Sequence, residues 1–200
     1  MIALSFGCRS KALGIPALGL AALLLLTSSC GGDGGGGTQT AVMTCSSSDT
    51  VGANQVAMRC GVEPVNDQGR VDVVLGGPAS GEMTVRGFNF DITYDPTKVE
   101  YVPSSGFTSP LFVTDDGLQT ALVVVALADG QQGRVVVSVQ QPGDLPAQSV
   151  DAGTHEVVSL WFRRVVGETF GPTGLAFDNA EATGASVSIE FGSDLSLACQ

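Results

Sequence analysis

The chain has 200 residues, with 20 acidic against 9 basic side chains, a net charge of −11, and five cysteines. That length allows one or two domains. The acidity argues against nucleic acid as a partner, because a polyanion would be repelled and no basic cluster is larger than Arg163-Arg164; the solubility of an exported domain accounts for it.

The first element in chain order is a leader. Arg9 and Lys11 supply a short positive region, and Ala12 to Leu26 form an apolar run that ends at Thr27-Ser28-Ser29-Cys30. The run is shorter than the ~20 apolar residues a membrane span needs, and it closes on small residues of the cleavage-site kind. Residues 1–29 therefore read as a signal peptide. The small residues followed at once by Cys30 resemble the lipobox of bacterial lipoproteins, with Thr27 where that family usually has leucine. The resemblance implies cleavage before Cys30 and lipid on its sulfur. Gly31 after the cysteine implies sorting to the outer membrane, facing the periplasm or the cell surface. Gly31-Gly32-Asp33-Gly34-Gly35-Gly36-Gly37 follows, a tract that cannot bury a core, so residues 30–54 are expected to act as a flexible tether. Losing Arg9 and Lys11 and no acidic residue leaves 7 basic and 20 acidic side chains, a net of about −13.

From Gln55 to the C-terminus short apolar runs alternate with turn residues, and no helical stripe interrupts them. Gln55 to Val65 and Arg70 to Leu75 are predicted strands, divided by Asn66-Asp67-Gln68-Gly69. Met83 to Tyr94 is the clearest strand: Phe88, Phe90, Ile92 and Tyr94 fall on one face and Asn89, Asp91, Thr93 and Asp95 on the other. Pro96 ends it, since proline has no N–H to donate, and Val99 to Pro103 follows. Ser104 to Asp116 is the longest irregular stretch. Leu118 to Ala128 and Arg134 to Gln140 are joined by Asp129-Gly130-Gln131-Gln132-Gly133 as a hairpin. The triple valines Val123 to Val125 and Val135 to Val137 predict strands covered on both sides or near the middle of a sheet. His155 to Val166, Gly174 to Phe177, Ser186 to Phe191 and Asp194 to Cys199 complete the set. Eight to ten strands at this spacing predict an all-β fold, a jelly-roll β-sandwich of about nine strands over residues 55–200.

Phe88-Asn89-Phe90-Asp91-Ile92-Thr93-Tyr94-Asp95-Pro96, followed by Val99-Glu100-Tyr101, resembles the third-strand motif of the cohesin domain. Further strands match in order over roughly residues 55 to 199. Related carbohydrate-binding modules share the sandwich. The resemblance implies a non-catalytic module that grips a protein partner, dockerin in cellulosomes, on one sheet face. It places the grip on the outward residues Asn89, Asp91 and Thr93, with Asn89 where cellulosomal members often carry an acidic residue. The alternative from the residues alone is an ordinary solvated sheet face. A polysaccharide partner is the runner-up expectation, and a small hydrolase the third.

Other candidates are few. In Val158-Ser159-Leu160-Trp161-Phe162-Arg163, alternation puts Trp161 and Arg163 opposite Leu160 and Phe162. If that face is open, the two form a contact pair of the types enriched in interface hot spots; if a layer covers it, Trp161 is core. His155 is the single histidine and stands at a strand entrance with no Gly-x-Ser-x-Gly elbow in the chain, so it reads as a surface residue rather than a base. Asp115-Asp116-Gly117 and Asp129-Gly130 lack the spaced acids of an EF-hand, so calcium has no clear signal, and one histidine without Cys-x-x-Cys gives no zinc pattern. No cofactor is expected. With Cys8 in the leader and Cys30 lipidated, Cys45, Cys60 and Cys199 remain for one disulfide in an oxidising compartment. Cys60 to Cys199, tying first strand to last, is the preferred pairing, with Cys45 to Cys199 and Cys45 to Cys60 as alternatives.

Overall fold

The computed structural model describes residues 42–48, 50–61, 67–104, 106–128 and 133–199. The leader, Cys30, the glycine tract and the hairpin residues 129–132 lie outside the described residues. The strands, in chain order, are β1 (Met43–Ser46), β2 (Gln55–Cys60), β3 (Gln68–Gly76), β4 (Met83–Val85), β5 (Gly87–Thr93), β6 (Val99–Val102), β7 (Leu122–Leu127), β8 (Arg134–Gln140), β9 (Gln148–Val150), β10 (Thr154–Arg164), β11 (Phe170–Gly174), β12 (Ala176–Thr183), β13 (Glu190–Phe191) and β14 (Ser196–Cys199). The only helical segment among the described residues is a single 3-10 turn, Pro110–Phe112.

Two sheets make the body, in the orders β13-β2-β3-β10-β6 and β12-β5-β8-β7, and the chain crosses repeatedly from one to the other. This is the expected all-β sandwich, with five and four strands in its main sheets. The alternation that predicts each strand also explains why the sheets stack. Val71, Val73 and Leu75 of β3, Val158, Leu160 and Phe162 of β10, Phe88, Phe90 and Ile92 of β5, and Val135, Val137 and Val139 of β8 all point into one core. Burying a side chain of this size stabilises by about 1.5–3 kcal/mol. Aromatic rings join the layers: Phe90 of one sheet lies 6.4 Å from Phe191 of the other, and Tyr94 lies 5.4 Å from Phe162. Leu111 and Phe112 of the 3-10 turn are buried, with the Phe112 ring 6.4 Å from Phe88.

Two smaller sheets, β1-β14-β11 and β4-β9, complete the fold. The expected tether reaches residue 54, whereas β1 already pairs in register with β14 from Met43↔Cys199 to Ser46↔Ser196. The strand read as Met83 to Tyr94 is broken at Arg86, so that β4 pairs with β9 and β5 with β8 and β12. Glycine is needed at the end of that hairpin. Gly133 has φ +84°, and a Cβ there would lie 2.5 Å from the Tyr94 carbonyl oxygen. Its own carbonyl accepts the Tyr94 N–H at 2.9 Å, which fixes the exit of β5.

The preferred disulfide is corrected. Cys45 bonds to Cys60, with Cα atoms 5.7 Å apart and 15 residues of separation, and Cys199 is a buried free thiol. Cys199 ends β14 opposite Met43, inside the three-stranded sheet, while Cys60 ends β2 of the five-stranded sheet. The last strand thus closes on β1 through its backbone, not on β2 through sulfur.

Candidate functional site

The outer face of the four-stranded sheet is built from the residues that the core does not use. Register aligns them in rows: Val124, Ser138, Asn89 and Glu181 in one, and Ala126, Val136, Asp91 and Asp178 in the next. Leu122, Gln140, Gly87 and Thr183 form the row on one side, and Arg134, Thr93 and Ala176 the row on the other. Directly opposed residues of antiparallel strands share a face, so these rows touch across the sheet.

The polar part of this face is bonded to itself. The Ser138 hydroxyl donates to Asn89 Oδ1 at 2.7 Å, and Asn89 Nδ2 donates to Glu181 Oε1 at 2.9 Å. Asp91 accepts from Arg134 Nε at 3.0 Å and from Asn179 Nδ2 at 2.8 Å, and Arg134 Nη2 also lies 3.2 Å from Asp178. Asn179 reaches Asp91 because β12 bulges between Asp178 and Glu181 and Asn179 adopts a left-handed backbone, φ 47°. The bond to Asp91 raises the pKa of the Arg134 guanidinium above its ordinary value, so the guanidinium stays charged. Asp91 is consequently only 7% exposed, although it points outward. Thr93 donates to the Ala176 carbonyl at 3.2 Å.

Next to this network lies an apolar strip. Leu122 is 68% exposed, Val124 47% and Val136 40%, with Ala126 exposed between them. The triple-valine reading holds for β8, which is flanked by β5 and β7, and fails for β7, which is an edge strand. In β7 the inward residues Val123 and Val125 are partly buried, and the alternate residues face solvent. The strip is the feature that sequence reasoning missed. Its only signal was a run of eight apolar residues, Ala121 to Ala128, without charge or proline, which a central strand also shows.

Asn89, Asp91 and Thr93 are thus brought together on one face, and Trp161 and Arg163 on another. The latter two point out of the five-stranded sheet, on β10. Arg163 pairs with Glu100 of the adjacent β6. Trp161 is half-buried, outside the core, and lines a cleft together with Phe107 and Thr108. His155 stands in β10, with Nε2 3.0 Å from the Asp151 carbonyl oxygen and 3.3 Å from its carboxylate. Asp116 caps its own turn through the Thr114 hydroxyl. Among the described residues no three His, Cys, Asp or Glu side chains gather as ligands for a metal ion.

The chain matches no protein-family profile, and no curated protein matches it. Solved structures that it resembles are cohesin modules. The seventh ScaB type I cohesin from Pseudobacteroides cellulosolvens has 13% identity and a TM-score of 0.49, over 70% of this chain and 87% of that one. The sixth cohesin of scaffoldin B from Acetivibrio cellulolyticus, solved in complex with a mutant dockerin, has 15% identity and a TM-score of 0.48, over 70% and 94%. A cohesin module of a family 33 glycoside hydrolase from Clostridium perfringens has 14% identity and a TM-score of 0.43, over 80% and 94%. The site described above stands on its own register and contacts, not on these superpositions.

Proposed function

We propose that this chain is a non-catalytic binding module that holds a protein partner, dockerin-like or other, against the outer face of the β12-β5-β8-β7 sheet. The observation that carries this reading is the exposed strip Leu122, Val124, Ala126 and Val136 beside a polar network whose members satisfy one another. Covering the strip removes apolar surface from water and breaks no internal hydrogen bond, while Asn89, Thr93 and Glu181 are placed to serve as a polar rim. The cohesin-like strand motif points to the same face. Lipid on Cys30 and the glycine tract would hold the domain at the surface of a bacterial membrane, and the Cys45–Cys60 disulfide suits an exported protein.

The test is retention of surface proteins from the bacterium that makes the chain, with and without calcium, on the immobilised purified protein and its variants. A partner held by the wild type and by Arg163→Ala, but lost with Val124→Arg, supports the reading. Retention that survives Val124→Arg, or that is lost equally with Arg163→Ala, overturns it. The anchor is tested by the intact mass of the membrane-bound protein, and an unmodified Cys30 would end that part.

A further inference from the structure

The chain protects the edges of its sheets, with one exception. An edge strand presents unpaired N–H and C=O groups that another strand can use, and folded chains blunt it with charge, proline, a bulge or shortness. β12, at one edge of the four-stranded sheet, carries Asp178 and Glu181 with a bulge between them. At the edges of the five-stranded sheet, β6 has four residues with Glu100 among them, and β13 has two. β1 has four residues, β4 and β9 have three each, and β11 contains Gly171 and Pro172. β7 has none of these devices. Its six residues, Leu122–Leu127, are all apolar, pair with β8 without a bulge, and include no glycine or proline. Both of its faces are open. Leu122 and Val124 are exposed on one, and Leu127 is 50% exposed on the other, where Val123 and Val125 are only partly buried.

Two hydrogen bonds fix which groups point off this edge. The Ala128 N–H donates to the Arg134 carbonyl at 3.1 Å, and the Gln141 N–H donates to the Arg86 carbonyl at 2.9 Å. Residues that bond a given neighbour alternate along an antiparallel ladder. Leu122, Val124 and Ala126 therefore bond β8, and Val123, Val125 and Leu127 turn their N–H and C=O groups away from it. No other hydrogen bond engages those three among the described residues. The edge takes an extended strand without charge. A disordered segment would lose backbone entropy at every residue fixed there. β7 of a second copy is already extended, is uncharged in a chain of net charge −11, and matches itself. We infer that two copies of this chain associate through β7, antiparallel about a two-fold axis at Val124. Val124 then opposes Val124 of the second copy as a non-hydrogen-bonded pair, Leu122 opposes Ala126, and Val123 exchanges both backbone bonds with Val125. Outward residues meet outward ones, so two four-stranded sheets become one sheet of eight and their apolar strips run side by side. The contact is small for a specific interface, so the association is reversible. It is opposed by the net negative charge of both copies, which salt screens. The dimer does not rest on the partner reading, because its axis lies at the edge of the sheet and leaves the outer face open.

Analytical ultracentrifugation of the purified protein, over a range of protein and salt concentrations, tests this. The expected result is a reversible monomer–dimer equilibrium that stops at the dimer, because a two-fold contact closes, and that tightens as salt is added. Val125→Pro removes an N–H that β8 does not use, at an edge position where proline is tolerated. It should weaken the dimer at least about tenfold while circular dichroism shows the fold intact. Val125→Pro also keeps Leu122, Val124, Ala126 and Val136, so its failure to dimerise leaves the retention test of the outer face unaffected. Val124→Lys and Val124→Glu each place like charges on the axis. Each alone should associate at least about tenfold more weakly than the wild type, and the two mixed should form a heterodimer. The inference is overturned by a monomer at every concentration and salt, by association that continues past the dimer or weakens with salt, by full affinity in Val125→Pro, or by no heterodimer from the two Val124 variants.

Discussion

The two sheets share one core and present different outsides. The four-stranded sheet carries a strip of exposed valine, leucine and alanine beside a polar network bonded to itself. The five-stranded sheet carries ion pairs, Arg163 with Glu100 across β10 and β6 and Arg70 with Asp72 along β3, and a cleft at Trp161. Their inward rows are chemically alike, so the inward rows do not distinguish the faces. Each face is set by the alternate residues and by which strand lies at an edge. The largest effect should therefore come from the residue both sheets depend on. Phe90 is 1% exposed, with Phe177 at 5.3 Å and Phe191 at 6.4 Å. Phe90→Ala is expected to cost about 3–5 kcal/mol in denaturant unfolding. A loss confined to one face, leaving the ellipticity of the other sheet and its unfolding midpoint unchanged, would break the view of a shared core.

A smaller effect separates the two polar networks. Asp91→Ala removes the acceptor of both Arg134 and Asn179, and is expected to destabilise by about 2 kcal/mol. Asp72→Ala should cost about half of that, because Ser159 then donates to Glu156 at 2.8 Å without competition. Equal losses in chemical denaturation would show that the two faces are supported alike. Within the same comparison, Val124→Arg should leave stability within about 0.5 kcal/mol of the wild type, since it replaces an exposed side chain on an edge strand. Any larger loss would mean that the strip belongs to the core and is not free for a partner.

How much of this was legible in the sequence follows the period of two. Phe88, Phe90 and Ile92 alternate without interruption, and the structure buries all three, with Asn89, Asp91 and Thr93 on the far side. Trp161 was legible as outward on its strand but not as half-buried, since that depends on a loop more than fifty residues upstream. The apolar strip was not legible, because a run of valines reads alike in a central strand and in the edge strand β7, and only pairing distinguishes them. Strand β12 was cut short for a local reason. Asn179 and its bulge interrupt the alternation of Ala176–Thr183, and the same bulge gives Asp91 its partner. The disulfide was beyond spacing, because β1 takes the place beside β14 that the preferred pairing left to Cys60.

The join between the sheets can be read by pH. Tyr94, just past β5, and Tyr101, in β6, pack on the same ring, Phe162, at 5.4 and 6.0 Å. They are the only two tyrosines of the chain. Burial raises both phenols, Tyr101 to about 12. A native protein should show no phenolate absorbance step near the ordinary value of about 10. Because the folded pKa lies above the unfolded one, this contribution to stability is complete below pH about 10 and is lost as the pH rises toward about 12. A step near pH 10 in the folded protein would place one ring in solvent and loosen the contact between the layers.

The smallest expected effect lies in the turn that follows β5. Asp95 Oδ1 accepts from the Thr97 hydroxyl at 2.7 Å and from the Thr97 N–H at 3.0 Å, and Oδ2 lies 3.1 Å from Lys98 Nζ. The bond from Thr97 first, and then that from Lys98, hold the carboxyl below its ordinary value. A depressed folded pKa means that the contribution is present above the ordinary carboxylate value, about 3.9, and is lost as the pH falls through the lower folded one. Asp95→Asn keeps an acceptor for Thr97 and removes the charge beside Lys98. The wild type should therefore melt slightly above the variant at neutral pH, and the gap should close in acid below about pH 4. A gap that persists in acid would assign the turn to shape alone, and the outward row would then owe its exit angle to Pro96 and Gly133 rather than to the charge on Asp95.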